Sequence, residues 1–325
     1  MLQRQILRRL RHALSVGALA FSSAVLAQST ATQPITLIIP YPPGGSADML
    51  ARPMLPDLQK VLGQTIVLDY KGGAGGTIAT SALARAKPDG QTIILILTAH
   101  AINDALYPKL PYDTRKDFAP VSLVATLPLL VAAPLSSPFN TIPELIAYAK
   151  ANPDKLSYAS AGNGNTSHLA VELFKTQTGT KMVHIPYKGS GPAVIAMLGN
   201  EVSFMFDSIS TSFQQVKAGK LKAIAVSSLT RAEILPNTPT IADTLPGFDV
   251  TVWYGILAPA GTPVAIVDKL SQAFATVASD KKIKAQLAES GYATLGTTPA
   301  AFGKHIDAEL TKWSKAVKDS GATIQ

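Results

Sequence analysis

The sequence predicts an α/β protein of two lobes, each a central, mostly parallel sheet flanked by helices, joined by two crossover segments. Three observations lead there. Apolar runs of strand length alternate with helical patterns almost throughout, an order that gives parallel pairing with helices on both faces. At 325 residues the chain exceeds what a single core fills, about 250–300 residues. Two apolar segments, Val121–Ala132 and Thr251–Ala258, are placed to lead out of the first lobe and back into it.

The elements follow in order. Ile35–Pro40 (ITLIIP) reads as a buried strand, a continuous apolar run bounded by proline. Ser46–Leu62 reads as a helix with Met49, Leu50, Met54, Leu55, Leu58, Val61 and Leu62 on one face. Pro53 and Pro56 fall inside it and are expected to kink it or break it in two. Thr65–Leu68 is a second strand, Thr77–Ala86 a second helix and Thr92–Leu97 (TIILIL) a third strand. The second lobe repeats this grammar. It has a strand at Leu156–Ala159, a Gly/Asn/Ser loop, a helix at Ser167–Thr178 and a short strand at His184–Pro186. A helix at Pro192–Leu198 and strands at Ser203–Phe206 and Ala223–Ser227 complete it. Trp253–Ala258 then crosses back, followed by a helix at Pro263–Ser279 and two further helical patterns. The expected domains are 28–126 with 254–325, and 127–253, so that lobe one combines both ends of the mature chain.

Residues 1–27 read as an export signal. Arg4, Arg8, Arg9 and Arg11, with no acid among them, precede the apolar run Ala13–Leu26, and Val25-Leu26-Ala27 suits a signal peptidase. The run is shorter than the ~20 residues a membrane span needs, and Arg8-Arg9 lacks the flanks of a twin-arginine signal. Cleavage after Ala27 removes four Arg and no acid, lowering the formal charge from +8 to +4. What remains is too diffuse for a nucleic-acid footprint. The chain has no Cys, which excludes disulfides, thiolate metal sites, Cys nucleophiles and the cysteine of a lipoprotein anchor. A periplasmic protein, monomeric and free of a lipid anchor, is expected.

Several chemistries lack their motifs. The five His (His12, His100, His168, His184 and His305) do not pair at metal-binding helical spacing, and H-E-x-x-H is missing. There is no G-x-S-x-G elbow, no phosphate-binding G-x-x-x-x-G-K-[ST], and the dinucleotide fingerprint fails at Ser167. No metal, cofactor or catalytic residue is implied.

Three Gly-rich turns do stand out, each following a strand and opening a helix: residues 41–48 (YPPGGSAD), 71–77 (KGGAGGT) and 160–168 (SAGNGNTSH). Glycine lets backbone amides approach a ligand, and a helix start adds unpaired N–H groups and about half a positive charge. Such loops sit at the carboxyl ends of strands, where open α/β sheets bind ligands, and they suit an anion. Only Lys71 and Lys188 accompany them, which favours a small carboxylate over a phosphate. The alternative is that these glycines only make tight turns and caps.

The candidate ligand-binding residues are Tyr41, Gly44, Gly45, Ser46 and Asp48 from the first turn, and Gly75, Gly76 and Thr77 from the second. Ala99 follows the third strand, and Ser160, Gly162, Gly164, Asn165, Thr166 and His168 come from the third turn; Tyr187, Lys188 and Asp207 complete the set. Asp48 either complements its helix dipole or orders the loop beneath the ligand. Lys188 is a cation for the ligand or a solvated lysine. Asp207 caps a helix, or accepts from a ligand N–H or a loop backbone. His168 reads first as a packing or capping histidine, and Trp253 and Tyr254 as hinge packing.

The stretches IIPYPPGGSADMLAR (38–52), LDYKGGAGGTIATSALARAKPDG (68–90), YASAGNGNTSHLAVELF (158–174) and IPYKGSGPAVIAMLGNEVSFMFD (185–207) carry a resemblance. With AGKLKAIAVSS (218–228) and YGILAPAGTP (254–263), they resemble the Bug-type (tripartite tricarboxylate transporter, TctC-like) periplasmic solute-binding proteins across essentially the whole mature chain. The resemblance implies a Venus-flytrap protein that captures a small mono- or dicarboxylate between its lobes and delivers it to the membrane components of a secondary transporter. It also implies a carboxylate held by main-chain amides and waters at Gly44, Gly45, Ser46, Gly75, Gly76 and Thr77. Two departures stand out: Lys71-Gly72 where the family often has Arg-Pro, and Pro53 and Pro56 in the first helix. A sensor that docks on a signalling partner, or a periplasmic enzyme acting on a small acid, are the alternative functions.

Overall fold

The computed structural model describes residues 33–323; the expected export signal and its cleavage site after Ala27 lie outside the described residues. The chain begins with β1 (Ile35–Ile39), α1 (Ser46–Leu62), β2 (Ile66–Tyr70), α2 (Thr77–Ala84), β3 (Thr92–Leu97) and α3 (Ala99–Leu106). A long strand β4 (Phe118–Pro134) leads to α4 (Ile142–Ala151), β5 (Ser157–Ser160), α5 (Thr166–Thr178), β6 (Val183–Pro186) and α6 (Ser190–Leu198). Then come β7 (Phe204–Ser208), α7 (Ile209–Lys217), β8 (Leu221–Val226) and β9 (Thr251–Pro259). The chain closes with α8 (Val264–Ser279), α9 (Lys281–Ala288), β10 (Ala293–Thr294) and α10 (Pro299–Ser320).

The strands follow the order β2-β1-β3-β9-β4-β7-β5-β6, with β8 and β10 also paired to β4. Each half has a parallel trio: β1 lies between β2 and β3, and β5 lies between β6 and β7. The inner strands of these trios, β1 with β3 and β5 with β7, are the buried, apolar strands that βαβ connections produce, while β2 and β6 at the sheet edges are partly exposed. Between them β9 and β4 run antiparallel to their neighbours, so the sheet is mixed where the halves join.

β4 is the mechanical centre of this arrangement. Phe118–Pro128 pairs with β9, whereas Leu129–Pro134 pairs with β7 and β8. Pro128 stands at the handover, where its missing N–H interrupts the ladder. The next amide, on Leu129, donates to the Ser227 hydroxyl (2.8 Å). Register shifts at Pro120/Ser122 and Leu123/Ala125 add the local twist that bulges give.

Three sequence expectations are corrected. Pro53 and Pro56 do not break the first helix, which runs as one element from Ser46 to Leu62. Two lost N–H donors cost less than the face that Leu50, Met54, Leu58 and Leu62 bury, and tertiary burial decides. Val61 leaves that face and is 47% exposed. α3, α4 and α7 are helices that the apolar pattern did not reveal; α7 (ISTSFQQVK) is mostly polar, and α3 is only eight residues long.

The C-terminal helix is tied to β9 by a buried carboxylate. Glu309 Oε2 accepts from the indole N–H of both Trp253 (2.8 Å) and Trp313 (2.9 Å). Phe302 of the same helix packs over Gly255, where a Cβ would stand 2.0 Å from the ring tip. Among the described residues no helix is long and apolar enough to cross a membrane. Gly255→Ala is therefore expected to destabilise the fold by about 1–3 kcal/mol through overpacking, read as a lower denaturant midpoint.

Candidate functional site

The site starts at the carboxyl ends of β1 and β2. After β1 the chain turns through Gly44 (φ +80), a conformation glycine adopts without strain, and enters α1 at Ser46. Asp48 fixes this turn from beneath. Its carboxylate accepts from the Gly44 amide (2.8 Å), the Tyr70 hydroxyl (2.5 Å) and Arg52 Nε (3.0 Å). Burial opposes its ionisation, but the bonds from Tyr70, Gly44 and Arg52 outweigh it and hold its pKa below the usual carboxylate value. Tyr70 is pushed up to about 12, by burial and by that same carboxylate.

Beyond β2, residues Ala74–Gly76 form a single 3₁₀ turn with Gly75 at φ +62, and α2 follows at Thr77. The Gly75 carbonyl accepts from Asn103 Nδ2 on α3 (3.0 Å) and from the Tyr41 hydroxyl (3.4 Å). In the other half, the loop after β5 is braced from behind. Ser160 Oγ accepts from the Gly162 amide (3.1 Å) and lies 2.6 Å from His184 Nε2. The Gly164 amide donates to His168 Nδ1 (3.3 Å). The two imidazoles stack with centroids 4.0 Å apart, with the Tyr158 ring 4.8 Å from that of His184. Burial lowers the pKa of His168 to about 4 and that of His184 to about 3, so both are neutral supports for the loop.

The two sets of loops meet closely. Asn165 Nδ2 donates to the Tyr41 hydroxyl (2.8 Å), and Ser208 Oγ to Ser46 Oγ (3.3 Å). The Tyr292 hydroxyl donates to the Ser46 carbonyl (2.6 Å) and shares a hydrogen bond with Ser210 (3.0 Å). Gly75 and Gly164 make this fit possible. A Cβ on Gly75 would lie 2.7 Å from the Asn163 carbonyl oxygen, and one on Gly164 would lie 2.6 Å from Asn103 Oδ1.

Two spaces remain. The outer cavity, ≈770 Å³, is walled by Tyr41, Pro42, residues 72–75 and Tyr107 from one half, and by residues 161–163 and 186–189 from the other. Lys188 is the cation among these described lining residues; Lys71, at the edge, is paired with Asp69 (2.8 Å). The inner chamber, ≈20 Å³, has room for about one water-sized group. Its walls include Gly45, Ser46, Asn165, Thr166, Ser190 and Ser208, with Tyr41 and Ala161 bordering both spaces.

Four helices start at that chamber: α1 at Ser46, α5 at Thr166, α6 at Ser190 and α7 just after Ser208. α1, α6 and α7 have no side-chain cap, whereas Asn165 caps α5 through the Ser167 amide. Uncapped helix starts leave amide donors and the positive end of each dipole facing the chamber side. The Thr166 hydroxyl is buried there with no hydrogen-bond partner. Chemically, amides and hydroxyls so arranged can receive an anion.

The residues singled out in the sequence separate into three groups. Tyr41, Gly45, Ser46, Gly75, Gly162, Asn165, Thr166, Tyr187 and Lys188 line one of the two spaces. Asp48, Ser160, His168 and Asp207 stand behind the loops and hold them, so none of the four is a wall residue. Gly44 lies exposed on its turn, while Gly76, Thr77, Ala99 and Gly164 are outside both linings. Trp253 and Tyr254 are buried at the join of the halves. Sequence reasoning missed Ser190, Ser208 and Tyr107. Ser190 opens a helix after a strand and Ser208 ends a strand before one, the signal already used for the other turns; Tyr107 ends α3 and gave none.

Two outcomes test this geometry. Gly75→Ala pushes a Cβ against the Asn163 carbonyl and is expected to hold the halves apart, weakening ligand binding about tenfold or more. Gly44→Ala carries the same left-handed strain with open space around it, so it lowers stability without that effect; small-angle scattering separates the two. Stability follows the histidines as pH changes. Their native pKa values lie below the ordinary 6.5, so their contribution is complete above pH ~6.5 and is lost as pH falls toward 4. Urea midpoints measured from pH 7 to 4 should fall for the wild type and fall less for His168→Gln.

Known proteins share this architecture. The periplasmic binding protein BugD superposes with a TM-score of 0.86 at 36% identity, covering 90% of this chain and 99% of that one. Rpa4515 of R. palustris, solved with adipate, gives 0.87 at 34% identity, covering 91% and 100%. MatC of Rhodopseudomonas palustris, solved with bound malate, gives 0.84 at 32% identity, covering 88% and 99%. Residues 50–322 match the family described as tripartite tricarboxylate transporter family receptor. With that match running through α1, both halves of the sheet and α10, the chain belongs to the tripartite tricarboxylate transporter receptors, two-lobed solute-binding proteins of the Bug type.

Proposed function

We propose that this protein captures a small organic carboxylate in the cleft between its halves and hands it to the membrane components of a secondary transporter. The observation that carries the proposal is the meeting of four helix starts, three of them uncapped, at one hydroxyl-lined chamber. A carboxylate there exchanges water for amide and hydroxyl donors and needs no buried cation. The body of the ligand extends into the outer cavity, past Tyr41 toward Tyr107, Tyr187 and Lys188. The ligand is a mono- or dicarboxylate, and adipate and malate on the two Rhodopseudomonas proteins, both dicarboxylates, support the second of these.

Capture is a hinge motion of residues 28–126 with 254–325 against residues 127–253, bending where β4 and β9 cross. The cross-half bonds of Tyr41 with Asn165 and of Ser46 with Ser208 then form on closing. The protein works as an exported, periplasmic monomer after cleavage at Ala27. It binds its ligand without converting it. The cleft walls offer hydrogen-bond donors, and the Ser160–His184 pair stands behind its loop, with Ser160 fully buried and bonded to the Gly162 amide.

Binding to the native state alone stabilises a protein by RT ln(1 + [L]/Kd), about 2.7 kcal/mol at 100 times Kd. Protein stripped by unfolding and refolding should therefore melt at a higher temperature with at least one acid from a panel of aliphatic, hydroxylated and aromatic mono- and dicarboxylates. The acid should be recovered unchanged by mass spectrometry. No shift across the panel, or conversion of the acid, contradicts the proposal.

A further inference from the structure

Behind the inner chamber, on β7, stands a carboxyl group with no cation beside it. Asp207 is fully buried. Its Oδ2 accepts from the hydroxyls of Thr211 and Ser212 in the first turns of α7, while Oδ1 has no hydrogen-bond partner. Ser190, at the start of α6, places its hydroxyl beside the same carboxyl group and also lines the chamber. From the opposite half the facing groups are Tyr254 on β9 and Tyr292 before β10, both buried phenols. The groups around Asp207 are thus hydroxyls and one backbone amide, and burial pushes its pKa up. A buried carboxylate with half its acceptors unused is costly to keep ionised.

The direction of the Ser190 hydroxyl links this group to the ligand. An ionised Asp207 only accepts, so it draws the hydrogen of the neighbouring Ser190 hydroxyl toward itself and leaves the serine lone pairs facing the chamber. That is a poor reception for a second carboxylate. A proton on Oδ1 reverses that pull: Asp207 then offers a hydrogen to the Ser190 oxygen, and the serine hydrogen is free to point into the chamber. Two carboxyl groups at close range favour sharing one proton over carrying two charges.

We infer that Asp207 takes up one proton from solvent as the cleft closes on a carboxylate, and through Ser190 turns the inner chamber from acceptor to donor. The inference rests on the carboxylate reading of the cleft. One O–H bond forms at Asp207 Oδ1 and no bond of the ligand breaks, so ligand anion and proton enter together. Asp207 acts here as a positioning residue, one step removed from the ligand.

Calorimetry with adipate, run from pH 5 to 9 in buffers of different ionisation enthalpy, counts the protons taken up. Above the pH where Asp207 ionises in the free protein, the wild type should take up close to one proton per adipate and its affinity should fall up to tenfold per pH unit; below that pH both effects should vanish. Asp207→Asn keeps a permanent donor to Ser190, so it should bind with no uptake and a flat pH profile. Ser190→Ala should bind more weakly and lose the uptake, and it decides the matter if the Asn variant does not fold. Absence of uptake in the wild type, or its persistence in Asp207→Asn, overturns the inference; in the second case the proton rides on the ligand.

A ligand-free arm separates this inference from the cleft reading. A native pKa raised above the unfolded value makes wild-type stability fall as pH rises through that pKa, while the Asn variant is unaffected. The stability gap between Asn variant and wild type should therefore widen with pH. Parallel curves overturn the titration of Asp207 whatever adipate does, whereas adipate that fails to bind counts against the carboxylate reading alone.

Discussion

A helix begins with amide groups that none of its own carbonyls can pair, and in this protein four helices begin at one chamber. The rest of the structure serves that convergence. The glycines at 44, 75, 162 and 164 take positive φ and bring the turns close. Asp48, Ser160, His168 and His184 hold those turns from behind with bonds to, or one step from, their backbone amides. None of these supports needs a charge on the cavity wall. Anion recognition at such a site is a matter of geometry, and the wall residues of the outer cavity remain free to differ with the body of the ligand.

The second constraint is the long strand β4. By pairing with β9 in its first part and with β7 and β8 in its second, it makes one sheet run through both halves. The strand passes from one half to the other near Pro128 and its partner Thr251, where the proline interrupts the ladder. The Tyr292 hydroxyl, bonded to Ser46 in one half and Ser210 in the other, ties the halves together at the chamber.

Much of this was legible in the sequence, for physical reasons that can be traced. TIILIL at Thr92–Leu97 is almost wholly buried, and such a strand shows as a nearly unbroken apolar run. The three Gly-rich turns announced themselves because positive φ at a ligand-facing loop is open to glycine without strain. Pro53 and Pro56 did not break their helix in two, since local propensity yields to a well-buried face. Ser190 and Ser208 passed unnoticed because their role arises only where the starts of α6 and α7 come together with that of α1. Spacing along the chain carries no record of that meeting.

The most direct measurement is an amide NMR titration of the stripped protein with whichever carboxylate raises its melting temperature. If helix starts hold the ligand, the largest shifts fall on the backbone amides at residues 46–48, 166–168, 190–191 and 209–211. Shifts confined to the surroundings of Lys188, or lying outside the cleft, would contradict the claim that amides at converging helix starts are what this protein uses to hold its ligand.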